Sequence, residues 1–373
     1  MAQKCEWVTP PAQYERAHRQ AQWQMVPLTN VTIRDVLRSV PKDEQAPPLP
    51  ERGSLRSRSA VLISSLTLRQ LSSVLPADRA WGLWTSRQIV ARIMDTFGPS
   101  LAGTEVVPVD TRTSPGHRVV GEWVYGKGVA RQPKSDGLKA IYLVHGSGYA
   151  LCSPRTHRRL ASWLSQLTGI PVFSIDYRLA PRHRFPTAAD DVRHGWEWLT
   201  DQCGFPAEQI VVAGDSAGGH LAVDLMLQPD VCHPAGLVLL SPLVDLTFNL
   251  ARSRERTCPD PAIRSRDAAR LVELYCTGIE STHPRLALDV AGGRPLPPTL
   301  IHAGGAEMLA ADAISLADDL AAAGGRCSLQ IWPGQVHVFH ALPRLTPEAA
   351  PAMREIAEFV TELLRTNSIG RVS

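Results

Sequence analysis

The sequence predicts an α/β protein with a mostly parallel, eight-stranded sheet flanked by helices. Three observations lead there. From about residue 139 onward, short and nearly continuous apolar runs alternate with amphipathic stretches, the pattern of strands buried on both faces between crossover helices. A glycine-flanked serine, Gly214-Asp215-Ser216-Ala217-Gly218, stands between one such apolar run and the next helical pattern. The chain has 373 residues, 44% hydrophobic and 20% charged, which is ample apolar material for one large core and excludes wholesale disorder.

In chain order, residues 1–100 read as an N-terminal helical region. Polar helical pieces are expected over Ala12–Gln24 and Asn30–Ser39, then a loop or linker over Pro41–Ser59. Amphipathic helices follow at Ala60–Leu75 and Asp78–Phe97. The second carries Trp81, Trp84, Ile89, Ile93 and Phe97 at roughly helical spacing. Gly98-Pro99 ends it.

Beyond Gly103 the period changes. Strands are expected at Thr104–Val109, His117–Tyr125, Lys139–Val144, Ile170–Asp176, Gln209–Ala213, Gly236–Leu240, Pro298–His302 and Cys327–Trp332. The first two have no helix between them and read as antiparallel. Helices are expected at His157–Thr168, Ala188–Gln202, Ser216–Leu227, Asp267–Cys276, Met308–Ala323 and Pro347–Leu364. In such sheets ligands sit beyond the carboxyl ends of the strands.

Composition narrows the function. With 39 basic and 36 acidic residues the formal charge is +3, which gives no reason to expect a nucleic-acid partner. The seven cysteines (Cys5, Cys152, Cys203, Cys232, Cys258, Cys276, Cys327) are scattered, with no pair at CxxC spacing. They read as free thiols in a reducing compartment rather than as metal ligands. The N-terminus has no basic-then-apolar signal sequence, and nowhere do 18 apolar residues run unbroken. A cytoplasmic protein without stable membrane insertion is the expectation.

The serine carries the chemistry. A strand, Gln209-Ile210-Val211-Val212-Ala213, precedes it and a helical pattern follows, the context of a nucleophile elbow. Ser216 is therefore the candidate nucleophile, with Gly214 and Gly218 leaving room for the turn. A serine hydroxyl needs a base oriented by an acid, here in the chain order serine, acid, histidine. After the last strand, Pro333-Gly334-Gln335-Val336-His337-Val338-Phe339-His340 offers two histidines. His337, closer to the strand end, is favoured, and His340 is the competitor. His302, at the end of the preceding strand, reads as a core or supporting residue. The acid is expected after that strand, where Glu307 is the first carboxylate. Asp245 is the alternative, one strand earlier. After the third strand, His145-Gly146-Ser147-Gly148 brings small residues to the same rim. The N–H groups of Gly146, Ser147 and Ala217 are the expected oxyanion hole.

These runs, with Asp176-Tyr177-Arg178-Leu179-Ala180-Pro181, resemble the hormone-sensitive-lipase-like carboxylesterases, a branch of the α/β-hydrolase fold. The resemblance spans roughly residues 104–365. It implies hydrolysis of small-molecule esters of short to medium acyl chain through an acyl-enzyme, with no cofactor and no metal. It also implies a helical cap, made of residues 1–100 and an insertion over about 243–279. A homodimer through an apolar cap surface is left open. So is loss of catalysis in a ligand-binding relative, or use of the same triad by an amidase, lactonase or acyltransferase. Two positions depart from the family pattern. Ser147 replaces the middle glycine of HGGG, and Glu307-Met308-Leu309 stands where Asp-Pro-Leu is common.

Overall fold

Alternate residues of the central strands face two separate cores. Ala140, Tyr142 and Val144 join one and Ile141 and Leu143 the other; Ile210 and Val212 part from Val211 and Ala213 in the same way. This two-residue period is what strands sandwiched between helical layers must show. The computed structural model describes residues 49–369, apart from 115 and 132–136. The helices expected over 12–24 and 30–39 lie outside the described residues.

The strands are β1 (Glu105–Arg112), β2 (Arg118–Tyr125), β3 (Ala140–Val144), β4 (Val172–Ile175), β5 (Ile210–Asp215), β6 (Gly236–Leu240), β7 (Thr299–Gly304) and β8 (Cys327–Trp332). Their order in the sheet is β1-β2-β4-β3-β5-β6-β7-β8. Strand β2 is antiparallel to both β1 and β4, and every other pairing is parallel. The edge strand β1 alternates exposed and half-buried residues, whereas β3 and β5 are buried throughout.

The helices, in order, are α1 (Leu55–Leu66), α2 (Leu68–Val74), α3 (Ala80–Phe97), α4 (Pro154–Thr168), α5 (Thr187–Glu197), α6 (Ala217–Leu227), α7 (Asn249–Glu255), α8 (Ser265–Cys276), α9 (Ala310–Ala322) and α10 (Ala349–Ile369). Helices α4 and α10 cover one face through Leu160, Leu164, Ile356 and Val360. Helices α5, α6 and α9 cover the other through Trp196, Leu221 and Leu316. Helix α4 is well specified locally: Ser153 and Thr156 form a capping box, Pro154 opens the first turn, and Gly169 ends it at φ 72°. None of the helices among the described residues is long and apolar enough to cross a membrane.

The N-terminal helices differ from expectation. A single helix over Ala60–Leu75 is instead two, broken at Thr67, whose ψ of −73° and side-chain bond to the Ile63 carbonyl (2.7 Å) turn the chain. The expected loop over Pro41–Ser59 gives way to α1 at Leu55, because Ser54 caps the Ser57 N–H. Ser54 N–H also donates to Glu348 Oε1 at 2.6 Å, and Ser57 Oγ donates to Glu348 Oε2 at 2.5 Å, tying α1 to the start of α10. The chain from Leu49 onward is one compact unit, so α1–α3 belong to the same unit as the sheet, with α3 packed against α4.

Candidate active site

Ser216 occupies the turn between β5 and α6 at φ 51°, ψ −122°, a backbone conformation that a residue with a Cβ adopts only when its surroundings over-determine it. The neighbouring glycines explain how. A Cβ on Gly218 would lie 2.0 Å from the Val144 carbonyl oxygen, and one on Gly214 2.6 Å from the Gly218 oxygen. Only glycine lets the helix start approach the sheet this closely. Ser216 N–H donates to the Leu240 carbonyl at 3.0 Å, and the first turn of α6 points its N–H groups at the same rim.

The candidate acid and base come from the ends of β7 and β8. Glu307 is fully buried, and His337 Nδ1 bonds its Oε2. Its other oxygen accepts from Gly304 N–H at 2.6 Å and from Ser241 Oγ at 2.7 Å. Burial pushes the His337 imidazole down, but the carboxylates of Glu307, Asp260 and Asp215 outweigh it and hold the ring above the ordinary histidine value. With Nδ1 engaged by Glu307, Nε2 is left for the serine side. Ser216 and His337 line one cavity of about 1040 Å³, and no hydrogen bond joins them in this structure. Donor–acceptor pairs of this kind often tighten only when substrate is bound.

The competing residues fall elsewhere. His340 is buried beside His302, Nε2 to Nδ1 at 3.3 Å, away from the cavity. Burial holds both rings well below the ordinary histidine range, His302 at about 3. Asp245 turns its carboxylate to Thr247 N–H and Leu250 N–H (both 2.9 Å), at the start of α7.

One oxyanion donor needs correcting. Gly146 N–H, expected to face the developing charge, donates instead to Asp215 Oδ1 at 3.0 Å. Residues 147–149 follow at φ 81°, 58° and 60°, a left-handed run whose N–H groups curl toward a shared concavity. No bond within the described residues occupies the N–H of Ser147, Gly148 or Ala217, and Ser147 and Gly148 line the cavity beside Ser216. Gly148 N–H therefore stands open beside the cavity where Gly146 N–H does not. The sequence cannot show this, because it depends on where the Asp215 carboxylate points.

Several supporting residues carried no sequence signal. Ser241, at φ 50°, donates to Glu307 and accepts from Val338 N–H at 3.1 Å, so one hydroxyl ties the acid loop to the base loop. Arg254 of α7 donates to the carbonyls of Glu307 (2.8 Å) and Gly305 (2.7 Å). Asp260 accepts from Met308 N–H at 2.9 Å. Asp312 accepts from Val244 N–H and Asp245 N–H, and burial pushes its carboxyl up to about 7. The Asp-Tyr-Arg run braces the oxyanion loop: Tyr177 Oη donates to the His145 carbonyl at 2.7 Å and its ring stacks on His145 at 4.2 Å. Arg178 forks onto Asp191 at 2.9 and 2.7 Å.

The cavity runs away from Ser216 between apolar walls. Leu71, Ile89 and Ile93 come from α2 and α3, and Ile263 and Leu271 from the α7–α8 segment. Its chemistry is that of a site which binds an apolar group and presents an activated hydroxyl to a carbonyl at one end.

Comparison with known proteins agrees with this geometry. A family model described as alpha/beta hydrolase fold matches residues 141–341. The chain is 35% identical over 254 residues to the carboxylesterase/phospholipase LipF of Mycobacterium tuberculosis, covering 64% of this chain and 66% of LipF, so it spans just under two thirds of that relative. It is 36% identical over 245 residues to the esterase LipU of the same organism, covering 62% of this chain and 80% of LipU. The crystal structure of an esterase from the bacterial hormone-sensitive lipase family superposes with a TM-score of 0.70 at 26% identity, over 83% of this chain and 99% of that one. Fold, signature runs and relatives together place the chain in the hormone-sensitive-lipase-like branch of the α/β-hydrolase family.

Proposed function

We propose that the protein is a serine carboxylesterase that hydrolyses small acyl esters of short to medium chain through an acyl-enzyme. The observation that carries this reading is the convergence of Ser216 and of His337, paired with the buried Glu307, on one apolar cavity. His337 Nε2 takes the Ser216 proton as Oγ attacks the ester carbonyl. The tetrahedral oxyanion then faces the N–H groups of Ser147, Gly148 and Ala217, each such donor typically worth about 3–4 kcal/mol in the transition state. His337 returns the proton to the leaving alcohol, and water repeats the sequence to release the acid. Glu307 keeps the imidazole in the tautomer that presents Nε2 to the serine.

Helices α1–α3 and the segment carrying α7 and α8 act as the cap, since their side chains form the far wall of the cavity. That enclosure limits acyl length. Cys152, Cys203, Cys258, Cys276 and Cys327 are thiols without disulfides, which supports work in a reducing cytoplasm. The test is a series of p-nitrophenyl esters of rising acyl length. Wild type turns over the short and medium esters fastest, and Ser216→Ala lowers kcat by about 10⁴-fold or more. Undiminished turnover by Ser216→Ala refutes the assignment.

A further inference from the structure

Ser147 is the residue at which this chain departs from the all-glycine loop of the family pattern. Its φ of 81° is left-handed, a conformation glycine enters freely and other residues do not. Its hydroxyl is held: Oγ lies 2.8 Å from the Sγ of Cys152, five residues on and buried. On the side of the nucleophile, Thr156 Oγ1 meets His157 Nδ1 at 3.0 Å, and His157 Nε2 meets Asp215 Oδ2 at 3.2 Å. Asp215 Oδ1 then accepts from Gly146 N–H.

Two adjacent residues of the loop are thus held from different sides, Ser147 by its side chain on Cys152 and Gly146 by its amide on Asp215, the residue that precedes the nucleophile. We propose that these two holds form a clamp that sets the oxyanion loop against Ser216, and that Ser147 and Cys152 are positioning residues within it. The Ser147 hydroxyl, held by the Cys152 thiol, keeps a residue with a Cβ in the left-handed turn that a glycine would occupy unaided.

Burial pushes the Cys152 thiol up to about 11, so at neutral pH it is a neutral S–H that can donate or accept, not a reactive thiolate. Its hydrogen bond to the loop exists only while Ser147 carries a hydroxyl. That conditional dependence separates a clamp from ordinary packing.

The inference rests on the esterase reading, and its test is a double-mutant cycle on a short p-nitrophenyl ester. Cys152→Ala and the closer-shaped Cys152→Val lower kcat by about ten-fold, a fraction of the roughly 10²–10³ that a whole oxyanion donor contributes. KM stays within about two-fold, because the misplaced N–H acts only in the transition state. Cys152→Ser, which restores a hydrogen-bonding group, recovers most of the loss. In a Ser147→Gly background, Cys152→Ala changes kcat by less than about two-fold, since no hydroxyl remains to be held. Thermal unfolding of each variant confirms that it folds.

Wild-type kcat in both Cys152→Ala and Cys152→Val overturns the clamp. So does an equal loss with and without Ser147→Gly, or a loss confined to KM. Each of these results leaves the dependence on Ser216 intact, whereas activity in Ser216→Ala removes the esterase reading itself.

Discussion

The two halves of the catalytic rim are built in different ways. The nucleophile side is local. Strand β5, Ser216 and α6 are consecutive, and the glycines that make the turn feasible lie two residues to either side. The acid–base side is assembled from afar: Glu307 after β7, His337 after β8, Ser241 after β6, and Arg254 and Asp260 from the segment between β6 and β7. A local device fails sterically, all at once. A distributed one fails in steps, as each hydrogen bond is removed.

Beyond the serine itself, the largest effect belongs to Glu307→Gln. It keeps the shape but loses the charge and the tautomer control, so kcat falls by about 10³–10⁴-fold, checked by steady-state kinetics. Gly218→Ala comes next and breaks the local side. Its new Cβ meets the backbone oxygen of Val144 at 2.0 Å, and carbonyl and helix must part. Chemical denaturation should show a loss of about 3 kcal/mol or more, with the elbow disabled.

Ser241→Ala tests whether the distributed side fails in steps. It removes one bond to a buried carboxylate and one acceptor for Val338 N–H, so stability falls by about 2 kcal/mol. Activity drops with it but is not abolished, because Gly304 N–H still holds Glu307. Complete loss of activity would erase the distinction between the two sides.

The smallest effect is a shift in pH dependence. His337 must be neutral to act as base, and its carboxylate neighbours raise its pKa over the opposing effect of burial. The acid limb of kcat/KM therefore lies at higher pH than an ordinary histidine would give. Taking away the Glu307 charge leaves burial less opposed, so the His337 midpoint moves down. An NMR titration of Ser216→Ala against Ser216→Ala/Glu307→Gln reads the direction. A midpoint that rises instead would contradict the electrostatics of the pair.

Much of this was legible in the chain because the signals are short-range. The two-residue period of the strands, the glycines about Ser216 and the carboxylate and imidazole just after two strand ends all sit within a few residues of the features they specify. The helix break at Thr67 was not legible: an amphipathic run continues through it, and only a local turn of the backbone separates α1 from α2. Nor was Ser241, a lone serine after an apolar strand, whose importance lies wholly in what stands opposite it.

Sequence alone determined the sheet, its helical layers and which serine stands in the strand-to-helix turn, because periodicity and a strained turn are written in neighbouring residues. Tertiary structure decided which N–H groups stay available to an oxyanion, which carboxylate meets the imidazole and what holds each of them. Those are matters of direction between residues tens of positions apart. A buried hydrogen-bonding group takes the partner that the fold brings within about 3 Å, as the Gly146 amide does with Asp215.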